Sequence, residues 1–100
     1  MREADRNPYD EAADEVVAAG NRILDADEQA DSWDVASGLL AGAVQFWLYS
    51  RQPCDNPMCE DCADISTPER RLKKLLEEVR EHAEGSDYFD APNDMNFGTA

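Results

Sequence analysis

The chain has 100 residues, and its 9 basic and 23 acidic side chains leave a formal net charge of −14. That length allows one small domain. That charge excludes ordinary direct binding to nucleic acid or to an anionic membrane surface, because both need a basic patch to replace counterions.

The acidity is unevenly spread. Residues 1–31 carry a net −7, residues 53–66 a net −4 and the last fifteen a net −3, while the two segments between them are neutral. Leu, Ile, Val and Phe together number 17. Scattered in so charged a chain, that few would mark disorder. Here they fall in periodic blocks reinforced by Tyr9, Trp33, Trp47 and Tyr49, so a folded domain spanning residues 1–100 is expected.

The first block opens with a helix start. Asn7 can cap, Pro8 suits the first helical position, and Asp10 and Glu11 favour the positive end of the helix dipole. Tyr9, Ala12, Ala13, Val16, Ala19, Ile23 and Leu24 then recur at three- and four-residue spacing. This predicts a helix over about 8–29, with Gly20-Asn21 as a candidate break.

The second block predicts a helix over 32–51 that stops before Pro53. Trp33, Leu40 and Trp47 form one apolar seam; Val35, Leu39, Gly42, Phe46 and Tyr49 form another. A helix apolar on most sides is expected to be buried on most sides, which makes it the central element. Leu40→Ala or Trp47→Ala is then expected to cost roughly 3–5 kcal/mol. Gly38 and Gly42, four residues apart, suggest a tight crossing inside the bundle, with a homodimer seam as the alternative. The longest apolar stretch, Val35 to Tyr49, falls short of the roughly 20 residues that span a bilayer. With no apolar run after the charged start Met1-Arg2-Glu3-Ala4-Asp5-Arg6, a soluble cytoplasmic protein is expected.

The third helix is predicted over 68–84, with Thr67 as cap, Pro68 in the first turn, a stripe of Leu72, Leu75, Leu76 and Val79, and Gly85 as stop. Its charges oppose the helix dipole. Arg70, Arg71, Lys73 and Lys74 crowd the positive end, while Glu77, Glu78, Glu81 and Glu84 crowd the negative end. Pairs such as Lys73–Glu77 recover a few tenths of a kcal/mol each, and the preceding acidic loop or the first helix is expected to neutralise the basic end. Residues 86–100, with Tyr88, Phe89, Pro92, Met95 and Phe97 and no period, read as an irregular acidic tail. The fold class is all-α: a three-helix bundle with a central apolar helix and a cysteine-containing loop.

Cys54, Cys59 and Cys62 stand in the pattern C-x4-C-x2-C between the second and third helices. Plant-type iron–sulfur sites open with this spacing, but the fourth cysteine is missing and the flanks are helical. A disulfide does not suit a reducing compartment. Zinc, which needs four ligands, and three reduced thiols both remain open. His82 lies 14 residues beyond Pro68, roughly 21 Å along the helix, so it reads as an interior or edge histidine. A fourth ligand would come from Asp55, Asp61, Asp64 or a partner chain.

Carboxylate pairs such as Asp10/Glu11 and Asp14/Glu15 are expected by chance among 23 acids. The Glu-x-x-His signature of di-iron bundles is absent, since Val79 stands three residues before His82. No nucleophile–base pair or phosphate loop stands out. A non-catalytic protein is expected, with a metal-dependent helical hydrolase as a minor alternative.

Four segments together, Asn7-Pro8-Tyr9-Asp10, Trp33-Asp34-Val35-Ala36-Ser37-Gly38-Leu39-Leu40, Arg51-Gln52-Pro53-Cys54 and Ser86-Asp87-Tyr88-Phe89, resemble a family of small anti-CRISPR proteins. These are encoded by phages and mobile elements and inhibit type I surveillance complexes. The resemblance implies a non-catalytic inhibitor in the bacterial cytoplasm that binds the crRNA-guided complex and keeps target DNA from hybridising. It carries over no individual site residue. Charge alone points the same way, because an acidic bundle complements a lysine- and arginine-lined groove. The expected contact residues are Asp10, Glu11, Asp14 and Glu15 on the first helix, with Asp55, Glu60, Asp61 and Asp64 in the loop. A small zinc-binding accessory or regulatory protein is the alternative.

Overall fold

Short polar side chains decide where each helix starts. In a computed structural model describing residues 7–56 and 58–91, α1 spans Pro8–Ala26, α2 Ser32–Ser50 and α3 Pro68–Glu84, with a 3-10 turn at Ala63–Ile65. The Asn7 side chain accepts the Asp10 backbone N–H at 2.8 Å, and Thr67 accepts that of Arg70 at 3.1 Å. Both are the expected caps, each satisfying a donor the helix leaves unpaired. The described residues contain no strand. The fold class is all-α, as expected.

α1 ends three residues earlier than its apolar spacing predicts. Asp27 turns extended there, and its carboxylate accepts the Gln29 N–H at 2.9 Å, so a side chain takes over the role of the next helical carbonyl. Asp31 then caps α2, accepting the Trp33 N–H at 3.0 Å. Two aspartates thus close one helix and open the next within five residues. None of the helices among the described residues is long and apolar enough to cross a membrane.

The chain separates into two compact units, Met1–Ser50 and Arg51–Ala100. In the first, α1 and α2 pack as a hairpin. Their close approach falls at Gly20, the buried residue of α1. A Cβ there would stand only 2.9 Å from Leu39 Cδ1. The sequence placed the tight crossing at Gly38 and Gly42 instead and offered Gly20-Asn21 only as a candidate break. Both glycines of α2 face open space, and α1 runs unbroken through Gly20. Gly38→Ala and Gly42→Ala should therefore each stabilise the protein by about 0.5–1 kcal/mol through helix propensity. Gly20→Leu should destabilise it by roughly 1–3 kcal/mol through overpacking against Leu39. Thermal melts followed by circular dichroism check this contrast, and a loss at all three positions would contradict it.

α2 is not buried on most sides. None of its residues is fully buried, and Trp33, Leu40, Phe46 and Tyr49 are 82%, 58%, 71% and 74% exposed. Val35, Leu39, Val44, Trp47 and Leu48 are half-buried. The physical reason lies in the hairpin, where one neighbouring helix covers only one side. The expected 3–5 kcal/mol loss for Leu40→Ala does not fit so exposed a side chain, which belongs to the class of surface changes worth about 0.5 kcal/mol.

In the second unit, α3 packs on the 3-10 turn, with Leu75 the buried apolar side chain. The loop answers the crowded positive charge at the start of α3. The Arg70 guanidinium donates to the Ala63 carbonyl at 2.8 Å and to Ser66 Oγ at 3.2 Å. Arg71 donates to the Ile65 carbonyl at 3.0 Å. Lys74 reaches the Asp64 carboxylate at 4.0 Å. Of the interior and edge positions expected for His82, the interior one does not hold, since the side chain is exposed in the last turn. Tyr88 and Phe89 are 93% and 55% exposed. The rest of the expected tail, including Pro92, Met95 and Phe97, lies outside the described residues.

Candidate metal centre

A chain of tight turns brings the three cysteines together. The Asn56 side chain accepts the Met58 N–H at 2.9 Å, and its carbonyl accepts the Cys59 N–H at 3.1 Å. The Ala63 N–H then donates to the Glu60 carbonyl at 3.2 Å and the Ile65 N–H to that of Cys62 at 3.0 Å. Arg70 and Arg71, fixed on α3, hold the far end of this loop by its carbonyls. Sequence reasoning singled out the cysteines but missed Asn56 and these two arginines as the residues that shape the site. An Asn ahead of a tight turn was the available signal.

The three Sγ atoms lie within 4.8 Å of one another, and all three thiols are free. Cys62 Sγ stands 3.6 Å from Cys54 Sγ, well beyond the 2.0 Å or so of a disulfide. Two thiolates on one tetrahedral zinc, each about 2.3 Å from the metal, stand about 3.8 Å apart. The three cysteines are therefore close enough to hold a metal ion.

Backbone donors aim at the same sulfurs. The Cys54 N–H points to Cys62 Sγ at 3.4 Å. Cys59 is drawn below the ordinary thiol pKa, first by the Cys62 backbone N–H, then by the thiols of Cys54 and Cys62 and by the Asp61 N–H. In Cys62 the Cys54 N–H favours the thiolate, but the neighbouring thiols of Cys54 and Cys59, with burial and the charge of Cys54, outweigh it and push the pKa up. Such N–H donors are what orient and stabilise ligating thiolates once a cation is present. Of Cys59 and Cys62, the lowered thiol Cys59 is the easier to ionise.

No histidine or carboxylate among the described residues joins the three thiols at this spacing. Asp55, Glu60, Asp61 and Asp64 are all exposed around the loop, as are Asp10, Glu11, Asp14 and Glu15 along α1. These acids, expected to form one contact surface, fall in two units, with Asp64 engaged by Lys74. Compared with protein-family models, with curated proteins and with solved structures, the chain gives no match.

Proposed function

We propose that this chain is a small non-catalytic binding protein whose cysteine loop is clipped by one zinc ion. The observation that carries the reading is the convergence of three thiols within 4.8 Å, with backbone N–H groups already aimed at their sulfurs. Soft thiolates select zinc or copper(I) over hard cations, and zinc is redox-inert and suited to a structural clip. The clip would tie Cys54, at the start of the second unit, to the turn that receives Arg70 and Arg71. Elemental analysis of protein purified without chelator tests it. The expected result is about one zinc per chain, the stoichiometry of one site. A metal content near zero with three freely titrating thiols would remove the proposal.

The partner class comes from the sequence resemblance, the proteins of a type I crRNA-guided surveillance complex, held without direct contact to nucleic acid. The exposed acids of α1 support that reading, since they offer a solvated anionic face to a groove built for phosphates. Reversing Asp14 and Glu15 to lysine should slow association with such a complex and weaken its salt dependence while leaving folding intact. Capture of the complex by wild-type protein, lost on reversal, is the expected result. Capture that survives reversal but is lost with Tyr88→Ala would replace the charge reading with an aromatic one.

A further inference from the structure

We infer that α3 pairs with α3 of a second copy of this chain, antiparallel, through the strip formed by Leu72 and Leu76. The two leucines are 54% and 56% exposed. Glu69, Lys73, Glu77 and Arg80 rim them. The rim alternates in sign, and a two-fold axis across the helix turns that alternation into complementarity. Lys73 and Glu77 are symmetric about position 75. Glu69 and Arg80 are symmetric about a point between 74 and 75, and Leu72 and Leu76 about position 74. All three midpoints fall within one residue, about 1.5 Å of helix rise.

One antiparallel arrangement thus sets each Lys73 against a Glu77, each Glu69 against an Arg80, and each Leu72 beside a Leu76. A parallel pair would instead set Lys73 against Lys73 and Glu77 against Glu77. Each half of the rim carries one charge of each sign, Glu69 with Lys73 and Glu77 with Arg80, and an isologous antiparallel pair brings opposite signs together. Arg80 already pairs with Glu84 at 3.0 Å, with the two side chains 80% and 53% exposed. So exposed a pair contributes little, and exchanging Glu84 for Glu69 of the second copy costs correspondingly little. A single helix pair lies at the small end of specific interfaces, so the association is weak and reversible.

Sedimentation velocity of the full chain over a rising concentration series tests the inference. Wild-type protein should pass from monomer to dimer. Lys73→Glu and Glu77→Lys should each weaken the dimer about fivefold or more, as like charges meet across the seam. The double exchange should restore it to within about twofold, because the rim is again complementary. Glu77→Lys lowers the net charge of each copy, so a general repulsion effect would strengthen the dimer where this seam weakens it. The double exchange also keeps an i,i+4 pair and turns it into the helix-favouring order, Glu before Lys, and circular dichroism checks that α3 remains folded. Protein that stays monomeric throughout overturns the inference, as when the strip is covered by another partner or by the chain itself. A dimer indifferent to both single exchanges also overturns it and moves the seam elsewhere, the apolar face of α2 included.

Discussion

Replacing Cys59 with serine should lower zinc affinity at least about a hundredfold and leave the α1–α2 hairpin unchanged. Structural zinc is worth about 10–16 kcal/mol over four ligands near neutral pH. Losing one thiolate of that set therefore removes about 2.5–4 kcal/mol, a factor of roughly a hundred to a thousand. Cys59 is the thiol whose pKa is lowered, so it loses its proton before Cys62 does. Cys62 is raised, so it is the harder of the two to ionise. The sign of the pH dependence follows. Affinity falls as pH drops and thiolates are protonated, and it continues to rise on the alkaline side until Cys62 has ionised. Competition against a chromophoric chelator at several pH values measures both effects. Equal affinity for wild-type and Cys59→Ser protein would mean that the metal, if bound, is held by other residues. Because the cysteines and the hairpin belong to different units, helical signal from α1 and α2 should survive the substitution.

How far the sequence could be read depended on the range of the interaction concerned. The caps at Asn7 and Thr67 were legible because capping is decided within three residues. The end of α1 was not, because Ile23 and Leu24 keep the helical phase while the stop comes from the carboxylate of Asp27. The cysteine cluster was legible as a spacing. Its geometry was not, since the N–H of Cys54 reaching Cys62 closes an eight-residue span.

The exposure of α2 was the largest departure, and the cause is general. Periodicity shows which side chains want cover but not how many neighbours arrive to provide it. One helix covers one side, and Trp33 and Tyr49 remain in solvent. Gly20 teaches the converse. A glycine inside an apolar helical pattern reads as a weak point, yet its missing Cβ is what lets Leu39 approach. The reversed charges of α3 were legible as an anomaly, and the structure shows half of the answer in the carbonyls of Ala63 and Ile65. The acidic second half is met in part by Arg51, whose guanidinium stands 3.9 Å from the Glu78 carboxylate, and by Arg80, which pairs with Glu84 at 3.0 Å.

Leu75→Ala should unfold the second unit in metal-free protein, and zinc should restore it. Leu75, 9% exposed, is the buried apolar side chain of the described residues, and truncating such a leucine costs roughly 2–4 kcal/mol. A fifty-residue unit with so little buried has no such margin, and domains of this size commonly depend on a metal or a disulfide for it. Zinc binding only the folded loop returns about 2.7 kcal/mol at a hundred times its dissociation constant. That matches the loss closely enough to reverse the unfolding. The coupling runs through named contacts, because the loop that would carry the metal is the loop whose carbonyls hold Arg70 and Arg71. Amide exchange separates the units. In Leu75→Ala protein without metal, α3 amides should lose protection while those of α1 and α2 keep theirs, and adding zinc should bring α3 protection back. If zinc binds the variant and α3 stays unprotected, the metal orders the loop alone, and the arginine contacts do not transmit its stability to the helix.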